Sequence, residues 1–319
     1  MGRYASSRNF GHGKQMEYAA KAALRDHYGQ GHYGTVATHV DRFTHFADWV
    51  REHGVRDLAK HDSRELTTAY AEHIKALIEA GDIAISTAQN RISTVNVVFS
   101  ALRGDHYVKL SPSDFAGNRS NIRTEVPAAL DKNRIEIATT ALREAGLNRA
   151  AAVLELARAF GVRREESVKA DLNRWSREAT RYGKVNVLDG TKGGRDADRW
   201  VPVKVDQQQA LANALAARPA GSTNLIAPTE RYVDVAISRS SELNQAREIL
   251  KQHGLPGYHD SRAAYACQRY EQITGYPAPV VAGERFASKE KDREARTIIS
   301  TELGHGRLDV LNSYIGSSR

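Results

Sequence analysis

Four stretches of the chain carry residue types that bind anions and move protons. In LELARAFGVRREESVKADLNRW an apolar helical pattern runs into Gly161, then Arg163, Arg164, Glu165 and Glu166. An arginine that starts so near a buried surface needs an anionic partner. Either Arg163 or Arg164 fills that description. Glu166, three residues on, either orients an arginine or is a helix-surface charge. In GYHDSRAAYACQRY, His259 and Arg262 stand three apart at a helix start, so imidazole and guanidinium share a face. ELGHGRLDVLNSY sets His305 between Gly304 and Gly306, with Tyr314 nine residues later. Lys192 lies in a Gly/Asp-rich turn, with Arg195 and Arg199 nearby.

These residues need elements to hold them. Helical spacing of Val36, Val40, Phe43, Phe46, Ala47 and Val50 predicts a helix over 35–53 that stops at Gly54. Further helices are predicted over 63–80, capped by Asp62 or Ser63, and over 87–102, with a weaker one over 14–27. This is an all-α bundle of about four helices. From Gly104 to Val126 periodicity gives way to Gly, Pro, Ser and Asn, which predicts a linker. The expected division is a helical domain over 1–104, a linker over 105–126 and a second domain over 127–319. In the second domain helices are expected over 132–145, 149–159, 206–216, 240–253, 261–274 and 309–314. A β-hairpin is expected from 184–188, the turn DGTKGGRDADRW and the strand VPV. The fold class is therefore mainly α with a small β-sheet.

At 319 residues the chain is long enough for two domains, each with its own core. With 41% hydrophobic and 26% charged residues it has an ordinary globular composition, neither disordered nor membrane-like. No apolar run is long enough to span a bilayer, and the N-terminal residues do not read as a secretory signal. A cytoplasmic, nucleoid-associated location is expected. The single cysteine, Cys267, excludes an internal disulfide framework and reads as core filler. The net charge of +8 makes nucleic acid the first partner to test, and +6 of that surplus falls after residue 125. Nine of twelve histidines precede residue 126, and of the three that follow, two are His259 and His305. His39 and His45 read as helix-face residues.

The order Arg163, Lys192, His259-x-x-Arg262, His305, Tyr314 resembles the tyrosine recombinases, or phage-type integrases. GVRREE is similar to that family's Gly-Leu-Arg-x-x-Glu, TKGGRDADRWVPV to its hairpin lysine and Val-Pro-Leu strand, and LGHGRLDVLNSY to its Leu-Gly-His and nine-residue step to the nucleophile. The likeness spans 127–319 strongly and 14–104 more loosely, as the core-binding domain that closes the other half of a clamp around DNA. Two departures stand out. The family's His-x-Leu-Arg-His reads His259-Asp260-Ser261-Arg262-Ala263, and an extra charged stretch, roughly 271–299, separates Arg262 from His305. That stretch is either a DNA- or subunit-contacting insertion or a solvated loop and helix.

The resemblance implies transesterification: a tyrosine oxygen displaces a 5′-hydroxyl and leaves a 3′-phosphotyrosine. In that reading Tyr314 is the nucleophile and Arg163 and Arg262 hold the phosphate, because a planar guanidinium spans two of its oxygens. A tyrosine, with an ordinary pKa near 10, needs its proton accepted. His259 is the expected acceptor, His305 the donor to a non-bridging oxygen, Lys192 the acid for the leaving oxygen and Glu166 a supporting residue. No cofactor and no metal are expected. Asn90, Arg91, Lys169 and Arg174 are candidate DNA contacts. The implied partners are double-stranded DNA, further copies of the chain in a tetramer, and an accessory DNA-bending factor, with no membrane. Alternatives are relaxation of DNA by a type IB topoisomerase and a non-catalytic architectural DNA-binding protein.

Overall fold

A computed structural model describes residues 7–191 and 197–317. The chain divides into two units, Met1–Ser120 and Asn121–Arg319.

The first unit is helical: α1 (Met16–Tyr28), α2 (Tyr33–Glu52), α3 (Ser63–Glu79), α4 (Ile85–Arg103) and α5 (Pro112–Ala116). The predicted helices are present, each within a few residues of its expected ends. Asp62 caps α3, accepting from the backbone N–H groups of Arg64 at 2.8 Å and Glu65 at 2.9 Å. Gly104 ends α4 in the left-handed conformation. The apolar stripes meet in a core around Phe46, whose ring packs edge-on against Tyr70 at 5.1 Å and Phe99 at 5.7 Å.

The stretch expected to be a linker is partly structured. It contains α5, and Asn96 on α4 holds Leu110 at both ends of its peptide unit, donating to the carbonyl at 2.8 Å and accepting from the N–H at 3.1 Å. Val108 and Ala116 also enter the core with Leu110 and Phe115 against it, but these positions follow neither a helical nor a strand period, so sequence periodicity misses the docking.

The second unit is built round α7 (Asn148–Phe160), which is buried on nearly every face. Against it pack α6 (Lys132–Glu144), α10 (Val205–Ala217) and α13 (Tyr258–Thr274). Between α7 and α10 run α8 (Arg164–Lys169), α9 (Leu172–Tyr182) and the strands β1 (Lys184–Asn186) and β2 (Trp200–Pro202). The strands are antiparallel, with Val185 opposite Val201. Lys192, in the segment between them, lies outside the described residues. The unit also contains α11 (Tyr232–Ala236) and α12 (Glu242–Gln252). It ends with α14 (Pro279–Ala282), α15 (Lys289–Glu302), a 3₁₀ turn at Asp309–Leu311 and the single-turn α16 (Asn312–Ile315).

α8 and α9 were not predicted. α9 buries only Leu172 and Trp175, too few apolar positions to show a period. The stretch at 271–299 is no solvated loop, since Ala278, Val280, Ala287, Ala295 and Ile299 are all buried. Among the described residues, no helix is long and apolar enough to cross a membrane.

Candidate active site

Gly161 organises the site. It closes α7 at φ +63°, and a Cβ there would stand 2.4 Å from the Tyr265 ring and 2.7 Å from Leu303. The left-handed turn and the close approach both require glycine. The turn delivers Arg163 to the start of α8. There Glu166 reaches back, its carboxylate accepting from the Arg163 backbone N–H at 2.6 Å and from its guanidinium at 2.6 Å.

Glu166 is fully buried and serves more than one arginine. Arg199, at the foot of β2, lies 2.7 Å from its carboxylate, and Arg262 lies 3.7 Å away. Burial opposes the Glu166 anion, but Arg199, Arg262 and Arg163 outweigh it and hold its pKa below the usual carboxylate value. Three guanidinium charges thus face one carboxylate, which leaves the pocket positive and ready for a further anion.

Arg262, on α13, is fully buried. It donates through Nη1 to the Gly161 carbonyl and through Nη2 to the Leu303 carbonyl. Burial lowers its pKa to about 10, so it remains charged at neutral pH. Its Nε donates to the Tyr314 hydroxyl at 3.3 Å, and Nη2 lies 3.1 Å from His305 Nε2. His305 Nε2 is in turn 3.3 Å from the Tyr314 hydroxyl. His259 meets the same tyrosine as a ring contact, centroids 5.4 Å apart.

Arg262, His305 and Tyr314 therefore form a hydrogen-bonded triangle. Burial first, then the charges of Arg262, Arg163 and Arg199, push the His305 pKa down to about 4. A neutral imidazole has one lone pair, and because arginine only donates, Nε2 is the acceptor and the proton sits on Nδ1. The Tyr314 hydroxyl accepts from Arg262 Nε and shares the single Nε2 lone pair with Arg262 Nη2, so its proton has that acceptor in full only where the Arg262 contact gives way. His305 thus has a ring nitrogen at hydrogen-bond distance from the hydroxyl, whereas His259, the expected acceptor, meets the tyrosine as a ring. Loss of solvation and the charges of Arg262, Arg123 and Arg163 also lower the His259 pKa.

A measurable consequence follows. In the free protein His305 stays uncharged down to about pH 4, which an NMR titration of its ring carbons reads directly. Its folded pKa lies below the unfolded value of about 6.5, so the unfolded chain binds the proton first. Stability contributed by the neutral ring is present above about pH 6.5 and is lost as pH falls toward about 4. His305→Gln should flatten the fall in Tm across that window. An unchanged slope would contradict the neutral assignment.

Of the other candidates, Arg174 donates to Glu178 at 2.9 Å, the Asn186 carbonyl at 2.8 Å and Asp189 at 2.8 Å, so it braces α9 against β1. Lys169 pairs with Glu165 at 2.5 Å and lies over the Tyr232 ring. Asn90 and Arg91 sit half-buried on α4 of the first unit, with Arg91 3.2 Å from His45. Arg199 was noticed in the sequence only as a neighbour of Lys192. Its signal is its place before the strand WVP, on the hairpin that carries Lys192.

Residues 121–268, which hold Arg163, Glu166, His259 and Arg262, match the sequence profile of the integrase family. Over that stretch, a little under half of the chain, the sequence is similar to the integrase family. The recombinase fold is also found among solved structures. A lambda integrase tetramer bound to a Holliday junction aligns over 94% of this chain and 75% of its own, at 15% identity and a TM-score of 0.56. The XerH site-specific recombinase in a post-cleavage complex with palindromic difH aligns over 94% and 79%, at 16% identity and a TM-score of 0.58. The Tn1549 transposon integrase (residues 82–397) in complex with circular intermediate DNA aligns over 97% and 95%, at 11% identity and a TM-score of 0.56. At such identities the shared property is the fold. No curated protein sequence matches the chain.

Proposed function

We propose that this chain performs site-specific DNA strand exchange, cleaving and rejoining DNA through a 3′-phosphotyrosine formed on Tyr314. The observation that carries the reading is the Tyr314 hydroxyl, 3.3 Å from both Arg262 Nε and His305 Nε2, beside three arginines gathered around Glu166. A phenolic oxygen with a donor to stabilise its anion and a neutral base to take its proton is an activated nucleophile.

Phosphoryl transfer asks mainly for positioning and for charge on the non-bridging oxygens. Arg163, part-exposed on the cleft that His305 and Thr191 also line, meets the phosphate with Arg262. The bond from phosphorus to the Tyr314 oxygen forms as the bond to the 5′-oxygen breaks. The tyrosine proton passes to His305, with His259 beside it. Lys192, on the hairpin turn, protonates the leaving 5′-oxygen. The ester energy is kept in the phosphotyrosine, and attack by a 5′-hydroxyl reverses the step to rejoin the strand.

Strand exchange needs two duplexes, each cut by its own nucleophile. The proposed unit is accordingly a tetramer on paired sites, as in the lambda integrase complex, serving a phage or other mobile element with an accessory DNA-bending factor. Asn90, Arg91 and Lys169 are the proposed DNA contacts. The protein's place is at the nucleoid.

The test is a covalent trap. Labelled DNA from the flanks of the protein's own gene, nicked so that the cleaved strand escapes, is incubated with the protein in EDTA and denatured. The expected product is a slow-migrating adduct, stable to denaturant, with the nucleotide mapped to the peptide containing Tyr314. Recombinant product from two sites on one molecule separates exchange from simple relaxation. DNA shifted in a native gel with no adduct would favour a binding factor.

A further inference from the structure

The stretch that lengthens the path from Arg262 to His305 packs against the segment that bears Tyr314. α16 is one turn long, far below the length at which a helix holds its own shape. Its position must come from outside: α13 packs against it most extensively, and α14 and the Arg296 side chain of α15 hold its ends. Gly316, just past α16 at φ +84°, lies so close to α14 that a Cβ there would stand 2.8 Å from the Val280 backbone nitrogen. Arg296 of α15 is almost fully buried and pairs through Nε with Asp292 at 2.9 Å. Asp292 accepts from the Tyr270 hydroxyl of α13 at 2.9 Å. The remaining two nitrogens of Arg296 leave α15: Nη1 donates to Asn312 Oδ1 at 3.0 Å and Nη2 to the Gly316 carbonyl at 3.1 Å. These two acceptors stand two residues before and two residues after Tyr314.

We infer that Arg296 is a positioning residue for Tyr314, and that the stretch around it is an in-chain clamp holding the nucleophile in the arginine pocket. The inference rests on Tyr314 being the nucleophile. Arg296 is assigned to positioning because its charge is matched by Asp292 and each of its three nitrogens has an acceptor, two of them at the two ends of the nucleophile segment. Asp292, fixed by Tyr270, ties the clamp to α13, the helix that carries Arg262. The nucleophile and its main phosphate ligand are thus referenced to one element. A misplacement of about 1 Å costs on the order of 10²-fold in rate, so the clamp acts on cleavage and leaves affinity alone.

The test compares wild type, Arg296→Gln, Arg296→Lys and Asn312→Ala, with Tyr314→Phe as the zero. Hydrogen exchange of peptides covering 308–317 is measured in the free protein, and adduct formation is measured in single turnover on the nicked DNA. Arg296→Gln is expected to speed exchange in 308–317 by about tenfold or more while α7 and α13 keep their protection, and to slow adduct formation by about 10- to 100-fold at unchanged DNA affinity. Arg296→Lys, able to reach one acceptor, restores part of the rate. Asn312→Ala, at a part-exposed site, removes one of the two grips and slows the rate by a smaller factor. The inference is overturned if Arg296→Gln forms adduct within about two-fold of wild type, whatever its exchange. If that variant does not fold, Asn312→Ala decides, and wild-type exchange and rate there overturn it. A wild type that forms no adduct overturns the role of Tyr314 instead, a failure visible before any variant is compared.

Discussion

Tyr314→Phe is expected to abolish covalent attachment to DNA, a loss of at least about 10⁴-fold in cleavage, with DNA affinity unchanged within about two-fold. The phenyl ring keeps its packing between His259 and His305, whose ring centroids lie 5.4 and 5.5 Å away. Only the hydroxyl is lost, and its two hydrogen bonds are long, at 3.3 Å each. Their net worth to the fold is about 1 kcal/mol or less, so Tm moves little. The variant therefore separates chemistry from binding and folding. Residual adduct at even one per cent of the wild-type rate would mean that another residue attacks the phosphate.

The second large effect is on stability. Glu166→Ala leaves Arg163, Arg199 and Arg262 around an empty site with no anion to balance them. Removing one partner from a buried ionic group costs about 3–5 kcal/mol, because the charges left behind stay desolvated. In a unit of this size that lowers Tm by roughly 10 °C or more. Glu166→Gln keeps the shape and one acceptor oxygen and should lose less, while still slowing cleavage because Arg163 is no longer fixed. Added phosphate or sulfate should recover part of the lost Tm by occupying the unbalanced pocket. Urea unfolding of Glu166→Ala at the wild-type midpoint would show that the carboxylate does not bind the site together.

The legible parts of this site are those that local chemistry fixes. Gly161 with Arg163, the pair His259 and Arg262 on one helix face, and the step from His305 to Tyr314 each announce themselves within a dozen residues. Arg199 does not, because its partner Glu166 is 33 positions away and a buried arginine looks in sequence like any turn arginine. Which of His259 and His305 comes within hydrogen-bond distance of the Tyr314 hydroxyl was also hidden, since it depends on where a ring nitrogen ends up in the fold. Helices with full apolar stripes, such as α2 and α4, were plain. α9, with two buried residues, and α14, a single turn opened by Pro279, carry no period to read. Arg174 looked like a candidate DNA contact, yet its guanidinium is taken up by three partners within its own domain.

The two carbonyls that accept from Arg262 lie at Gly161, where α7 ends, and at Leu303, where α15 ends. They are far apart in the chain, and they come within reach of one guanidinium only when both helices have docked against α13. Assembly of the DNA-cutting pocket is thereby made conditional on completed folding of the catalytic unit. A nascent or partly unfolded chain still carries its net positive charge, but it has no fixed Arg262 and no oriented Tyr314. The same two hydrogen bonds that hold a side chain in place would thus tie the proposed cleavage to the finished fold.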